Sequence, residues 1–362
     1  MFTMNNYEVI IIGAGPGGAM AALHSKGDVL LVEKKKEIGV PVRCGEGIFG
    51  KIVDYFNLHK YIKDAHILHN VEFNFPNGKQ KKIRMRSNVA YMINKDKFLQ
   101  NMLHDVVKKD DISLTIRTNT KAKYMNGKII LNGKEEVTGK VIIAADGINS
   151  SIGRAVGLTT LLKPEDMHIC AQYRLEGDFD PDTVRLFLDR PYAPSGYVWV
   201  FPKGNHTANV GLGIQGSRHL NVKQQLDWFV RDCYPLSKKK DFFTAPVSLA
   251  PPVNRCMRKN ILLVGDAARY TISPNGAGMG TAMLSGQTAG DVASKYLAGE
   301  YGLEAYQYAM SLKLYSKLLK AHNLKQKVMG EDGAEKFYRI FARLFWLHKL
   351  FPKTTERFCL KF

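Results

Sequence analysis

Tyr7-Glu8-Val9-Ile10-Ile11-Ile12-Gly13-Ala14-Gly15-Pro16-Gly17-Gly18 is the stretch on which the fold turns. Tyr7 to Ile12 is a short, β-branched apolar run and reads as a buried parallel strand. A GxGxxG follows at once, and the small residues Ala19, Ala21 and Ala22 then open a helix. A second apolar run, Asp28 to Val32, ends in Glu33, twenty residues after Gly13. Strand, glycine turn, helix, strand and acid in this order form a dinucleotide-binding βαβ unit. Gly13 permits the tight turn, Gly15 admits a pyrophosphate close to the backbone, and Gly18 lets the helix pack on the strand. The helix start offers free N–H groups and a positive dipole to phosphates. Glu33 is suited to a ribose diol and would repel a 2′-phosphate, which favours FAD or NAD over NADP.

Working outward, two more apolar strands end in glycine and acid. Lys140 to Ala145 runs into Asp146-Gly147, with Ser150 and Arg154 beyond. Ile261 to Val264 runs into Gly265-Asp266-Ala267-Ala268, then Pro274-Asn275-Gly276-Ala277-Gly278-Met279-Gly280 and a small-residue helix. Asp266 is placed to hold a ribityl hydroxyl. The 274–280 loop offers N–H groups to a flavin carbonyl, and the helix after it offers its dipole to a reduced flavin. A second GxGxxG, Gly211 to Gly216, ends an alternating run without the strand and acid that should follow, and reads as a glycine-rich strand edge or bulge. The chain therefore carries one clear dinucleotide site.

Together, GxGxxG with Glu33, Ala145-Asp146-Gly147 and the 265–280 segment resemble the FAD-binding domain of glutathione-reductase-type flavoproteins, p-hydroxybenzoate hydroxylase branch. Pro41-Val42-Arg43-Cys44-Gly45-Glu46-Gly47 and Tyr197-Val198-Trp199-Val200-Phe201-Pro202-Lys203-Gly204 narrow the resemblance to geranylgeranyl reductases, flavoenzymes that saturate isoprenoid chains. The similarity spans roughly residues 5–325. It implies an α/β fold: a discontinuous, Rossmann-like FAD-binding domain (1–65, 92–163 and 252–323), an inserted antiparallel β-sheet substrate domain (66–91 and 164–251) and a C-terminal helical segment (324–362). The expected FAD-binding set is Gly13, Gly15, Pro16, Gly18, Glu33, Lys34, Arg43, Cys44, Gly45, Lys95, Asp146, Gly147, Asp266, Gly276, Gly278 and Met279. Two departures stand out. Where members often carry Arg and Asp, this chain has Lys95 and Leu99, and Lys95 keeps the charge but lacks the bidentate fork of Arg. The chain is also shorter than many members at its C-terminus, which implies a more open substrate tunnel.

The resemblance implies reduction of isolated double bonds in a geranylgeranyl lipid. Such an alkene has no carbonyl to polarise it, so it needs a hydride from reduced flavin N5, a proton for the other carbon and a dry cleft that positions it. Cys44 is the expected proton donor or water-orienting group, with a small packing residue beside the flavin as the plainer reading. Glu46 is the second acid candidate. Tyr197, Trp199 and Phe201 alternate with Val198 and Val200, so the aromatics share one strand face, as a lining for a polyprenyl chain or as core. With Pro202 they are the expected substrate-binding residues. The alternative reading is a flavin monooxygenase of the same fold acting on an aromatic or polyprenyl substrate. A flavin-carrying binding or electron-transfer protein is a third. The electron donor is NAD(P)H or a ferredoxin.

Composition bounds these readings. With 362 residues, 45% of them hydrophobic and 23% charged, the chain is an ordinary globular protein, too long for one small core. Its net charge is +19, which attracts polyanions: phosphorylated small molecules, anionic lipid surfaces or nucleic acid. No nucleic-acid fold is visible, so nucleic acid is not an expected partner. Five Cys without regular spacing make neither a disulfide framework nor a zinc site, and no metal is expected. The thiols read as reduced, hence an intracellular, cytoplasmic protein. His104 and His168 read as surface or core residues. Met1 to Leu23 lacks the pattern of a signal peptide, and no run of 18 or more apolar residues is present. Glu335 to Leu350 has apolar residues near helical spacing and Lys336, Arg339 and Arg343 on another face. It reads either as a helix packed on the body or as one lying on an anionic membrane surface, at the inner face of the cell membrane.

Overall fold

The computed structural model describes residues 5–84, 90–188, 191–204, 206–273 and 275–328. The basic segment 335–350, Cys359 and Pro274 lie outside the described residues.

The strand Asn5–Ile12 lies at the centre of a sheet whose main path runs Met257–Arg258, Ile261–Leu263, Glu135–Ala144, Asn5–Ile12, Gly27–Val32 and Ile112–Arg117. All neighbours along that path are parallel except the first pair. The register sets Val9, Ile10, Ile11 and Ile12 beside Val29 to Val32 on one side and Val141 to Ala144 on the other. All of these are buried, as expected of parallel strands covered on both faces.

The helix Pro16–His24 packs against Met279–Leu297, and the small residues of both make the approach close. A Cβ on Gly286 would lie 2.1 Å from the Gly17 carbonyl oxygen, and one on Gly290 2.5 Å from that of Ala21. The helix Lys95–Val107 buries Phe98, Leu99, Met102, Leu103 and Val106 in the same core. Leu99 is thus a packing residue.

A second, seven-stranded sheet has the order Lys238–Ser248, Met167–Glu176, Thr207–Gln215, Tyr197–Pro202, Thr183–Phe187, Asn70–Asn74 and Gln80–Arg84. It is antiparallel except where Thr183–Phe187 runs parallel to Asn70–Asn74. The ends of the 66–91 segment leave this sheet: His66–Leu68 and Ala90–Met92 pair with each other, and Ala90–Met92 pairs on with Gly47–Phe49 in a three-stranded sheet. One face of the large sheet is closed by the helix Val222–Cys233, whose Leu226, Phe229 and Val230 pack on Ala171, Tyr173, Leu175, Val198, Val200, Val210 and Leu212. By strand alternation, His168, Cys170, Gln172, Arg174, Asn209, Gly211, Gly213, Tyr197, Trp199 and Phe201 all lie on the opposite face. The second GxGxxG is therefore part of a central strand, not a phosphate loop. Gly211 is required there because the Trp199 ring crosses it, 2.5 Å from where a Cβ would stand.

Candidate active site

The dinucleotide loop has the expected build. Gly13 has φ +106°, and a Cβ there would lie 2.3 Å from the Ala145 carbonyl oxygen. A Cβ on Gly18 would lie 1.8 Å from the Gly13 carbonyl oxygen, whereas above Gly15 there is nothing within 4 Å. The loop is thus packed tight on its protein side and open where a phosphate would approach. The helix it starts has Pro16 in its first turn, no side-chain cap and no acid there, which leaves its positive end to a ligand. Glu33 is buried; one carboxylate oxygen accepts the Ala14 N–H at 2.8 Å and the other the Lys35 N–H at 2.9 Å. These bonds fix it beside the loop.

A cationic path leads away from Glu33. Lys35 is half-buried, and its pKa is held below the ordinary value by desolvation and by repulsion from Lys95, Arg43 and Lys34, against the attraction of Glu33. Lys95 opens the helix Lys95–Val107 and is also felt by Asp266. Exposed Lys34 and Arg43 belong to the same cluster. Lys95 thus lies between the loop's cluster and Asp266, where a diphosphate would run.

At the far end, Asp266 is open to solvent yet crowded by protein, and desolvation raises its pKa against the Thr271 hydroxyl, which donates to it at 3.1 Å, and against Lys95. Gly278 sits directly beside its carboxylate, 3.3 Å from the position of a Cβ. Gly276 is in the left-handed region and Gly278 caps the helix that begins at Met279, which has no side-chain cap. One oxygen of Asp146 accepts the Ser151 and Ile152 N–H groups; the other is buried and has no hydrogen-bond partner among the described residues. Above Gly147 there is open space. An orphaned buried acceptor, an open glycine cradle and a line of cations fit a dinucleotide cofactor with a flavin end.

Cys44 is half-buried on the loop between these elements and the seven-stranded sheet, and its sulfur accepts the Glu46 N–H at 3.3 Å. The open face of the sheet grips that loop. The Gln172 amide donates to the Cys44 carbonyl at 3.1 Å and accepts the Trp199 indole N–H at 2.9 Å. Asn209 donates to the Gly45 carbonyl, and the Phe201 ring lies 3.0 Å from where a Cβ on Gly45 would stand.

Glu46 departs from its expected role as an acid. It is 1% exposed, and its carboxylate accepts from Arg174 at 2.9 Å, Lys203 at 2.8 Å, Asn209 at 2.9 Å and the Lys95 N–H at 3.2 Å. With both oxygens committed to donors, it is an ion hub that joins the Cys44 loop, the Lys95 helix and the sheet. It does so at φ +66°, a left-handed conformation that a non-glycine residue adopts only where its surroundings enforce it.

Tyr197, Trp199 and Phe201 share the open face as their alternation requires, with ring centroids 5.8 Å and 6.2 Å apart along the line. Trp199 is buried, with its indole N–H tied to Gln172. Pro202 is also buried, but alternation puts it on the face of Val198 and Val200, away from the cleft. It is a packing residue, not a substrate contact. The Tyr197 hydroxyl donates to the Asn275 carbonyl at 2.6 Å and so ties the aromatic line to the loop that precedes the helix Met279–Leu297. Burial pushes the Cys170 thiol up to about 12 and also raises Tyr197, although both keep some contact with solvent. Groups that are solvent-accessible yet crowded by protein mark the wall of a narrow cleft. Gln172, Arg174, Lys203 and Asn209 were not among the expected site residues. Their one sequence signal is a polar alternation, Gln172 and Arg174 between Ala171, Tyr173 and Leu175, which points polar side chains away from the core.

Residues 166–249, which span most of the seven-stranded sheet, match the family model of the geranylgeranyl reductase catalytic domain. A digeranylgeranylglycerophospholipid reductase of Methanosarcina acetivorans is 36% identical over 324 residues, covering 82% of this chain and 78% of the relative. The chain belongs to the geranylgeranyl reductase family. It is thereby an oxidoreductase. A digeranylgeranylglycerophospholipid reductase of Methanoculleus marisnigri is 33% identical, covering 83% of this chain and 80% of the relative. Among solved structures, a geranylgeranyl bacteriochlorophyll reductase-like protein from Thermoplasma acidophilum superposes with a TM-score of 0.83 at 28% identity, covering 92% of this chain and 90% of that one. A probable FAD-dependent monooxygenase from Pseudomonas aeruginosa shares the fold, with a TM-score of 0.73 at 15% identity over 93% of this chain and 100% of its own. No group of three or more metal-ligating side chains occurs among the described residues, and no described helix is long and apolar enough to cross a membrane.

Proposed function

We propose that this member of the geranylgeranyl reductase family binds FAD along the path from Gly15 through Lys95 to Asp266, and saturates isolated double bonds of geranylgeranyl chains in an isoprenoid lipid. The observation that carries the reading is the clasp of the Cys44 loop by the open sheet face. In support of it, Gln172 holds the Cys44 carbonyl, Tyr197 bonds the Asn275 carbonyl, and the Tyr197 and Trp199 rings lie on that same face. Reduced FAD supplies a hydride when bound.

The chain's own residues do the rest. Tyr197 and Phe201 line the cleft beside Trp199 and exclude water from the alkene. Cys44 gives its thiol proton to the carbon that does not receive the hydride, and the Glu46 N–H meets the charge left on sulfur. Solvent then returns the proton, so each turnover adds one hydride and one proton across one double bond. Glu46, Arg174 and Lys203 hold the loop so that the sulfur stays at the cleft. Electrons come from NAD(P)H or a ferredoxin. We place the protein in the cytoplasm, where the basic 335–350 segment would let it sit on an anionic membrane surface to reach its substrate.

The test is direct. Purified protein should carry non-covalent FAD, and after dithionite reduction it should add pairs of hydrogens to geranylgeranyl lipids by mass spectrometry. A product bearing oxygen, with stoichiometric oxygen uptake, would instead make it a monooxygenase.

A further inference from the structure

The strand Met167–Glu176 carries the cleft face away from Cys44. Gln172 bonds the Cys44 carbonyl, Cys170 follows on the same face, and His168 follows that, roughly 13 Å beyond Gln172 at ordinary strand rise. His168 is 6% exposed, and its Nε2 is buried with no hydrogen-bond partner among the described residues. Gly196 and Gly213 border the ring: a Cβ on Gly196 would lie 3.6 Å and one on Gly213 3.7 Å from it, in ordinary contact.

The helix Ser316–Val328 closes over this end. His322 bonds the Leu249 carbonyl at 3.0 Å, and the Leu249 N–H donates to the Asp166 carbonyl at 2.9 Å, two residues from His168. One turn beyond His322 is Lys325, a lysine only 7% exposed. It makes no hydrogen bond or ion pair among the described residues, although Asp166 is near enough to attract it. Arg269 reaches the same carboxylate's field; it donates to the Leu161 carbonyl through Nη2, and its buried Nε has no partner among the described residues. Buried cations are ordinarily paired. Here one carboxylate lies near the buried Lys325 and the half-buried Arg269, and the His168 Nε2 has no partner among the described residues.

We propose that His168 and Lys325 are an anion site at the end of the cleft, which takes the phosphoryl group of a polyprenyl substrate whose double bond lies at Cys44. The proposal rests on the reductase reading and adds to it where the polar end sits. A chain of several isoprene units spans the distance from Cys44 past Tyr197 and Cys170 to His168. Desolvation lowers Lys325, and desolvation together with Lys325 holds His168 down at about 3, so that its ring is neutral. A bound phosphoryl group would relieve both.

The test uses full-length, FAD-loaded protein and two substrates of equal chain length, geranylgeranyl phosphate and geranylgeraniol. Lys325→Met should raise KM for the phosphate by about tenfold to a hundredfold, the range for losing a charge-assisted hydrogen bond. It should leave geranylgeraniol unchanged, Lys325→Arg should restore the phosphate, and His168→Gln should act in the same direction. Equal effects on both substrates, or none on either, would overturn the site while leaving the reductase reading intact. If wild type reduces neither substrate, the reading fails, and calorimetric titration with inorganic pyrophosphate still decides the site: binding weakened in Lys325→Met supports it, and equal binding refutes it. A phosphoryl group belonging to the lipid also requires pyrophosphate to compete with geranylgeranyl phosphate. A free-phosphate site that does not compete would count against the proposal.

Discussion

Lys203 and Glu46 lie 157 residues apart in the chain and 2.8 Å apart in the fold. The pair ties the strand Tyr197–Pro202, which carries the aromatic line, to the loop that carries Cys44. Lys203 also donates to the Ile93 carbonyl and the Asn94 side chain, so it secures the start of the Lys95 helix as well. Removing the carboxylate leaves Lys203, 11% exposed, without its counter-charge. Glu46→Gln should therefore destabilise the fold by about 3 kcal/mol, as expected when one partner of a buried pair is lost. Urea unfolding with unchanged m measures this. A midpoint equal to that of wild type would show that the hub does not hold the two parts together.

Cys44 makes a different prediction, because its sulfur contributes one weak contact to the fold and a proton to the chemistry. Cys44→Ala should bind FAD and unfold at nearly the wild-type denaturant concentration. Its rate of alkene reduction should fall by roughly 10²- to 10⁴-fold, the usual range for losing a general acid. Single-turnover reduction by dithionite-reduced protein separates this from the electron-donor step. A variant reducing at the wild-type rate would leave Cys44 as a packing residue.

What the sequence made legible follows the range of the interactions. The Gly13 to Glu33 unit was readable because every contact that defines it is local or passes between adjacent parallel strands. The two faces of Tyr197–Pro202 were readable because alternation is a property of the strand itself, and one more step of that count would have put Pro202 with Val200. The partners of Glu46 were not readable. Arg174 and Asn209 reach it across 128 and 163 residues, and nothing local says which carboxylate a cationic strand position will meet. Strand direction was equally hidden: alternation identifies Asn70–Asn74 and Thr183–Phe187 as strands but cannot say that they run parallel. His168 and Lys325, unpaired among the described residues, were invisible for the same reason, since the absence of a partner is a property of the assembled fold.

The glycines of the dinucleotide loop should separate by what a methyl group would meet. At Gly18 it would drive into the Gly13 carbonyl at 1.8 Å, so Gly18→Ala should destabilise the protein by about 1–3 kcal/mol, as overpacking does. At Gly15 it would meet nothing within 4 Å, so Gly15→Ala should cost the cofactor-free protein less than about 1 kcal/mol, a helix-cap effect. It should nonetheless weaken FAD binding, because the methyl occupies the phosphate approach. Thermal midpoints with and without FAD measure both. The idea fails if Gly15→Ala retains full FAD affinity.

His168 gives the stability a pH dependence whose sign can be worked out. Desolvation, with repulsion from Lys325, lowers its folded pKa to about 3, against an unfolded value near 6.5. Between those values the unfolded chain binds a proton there that the folded protein refuses, so stability rises with pH across this window and is lost as pH falls through it. At one proton the slope is about 1.4 kcal/mol per pH unit, or roughly 2 kcal/mol between pH 7 and pH 5. Asp227, which desolvation would raise but which Lys223, Lys239 and Tyr173 hold down at about 2, is lost only below its unfolded pKa near 3.8 and does not interfere between pH 7 and pH 5. Urea midpoints at pH 7 and pH 5 should therefore fall further apart in wild type than in His168→Gln, by about that amount. Adding pyrophosphate should shrink the wild-type difference, because an anion beside the ring lets the folded state accept the proton. If the two proteins show the same pH slope without pyrophosphate, His168 is not a buried neutral base.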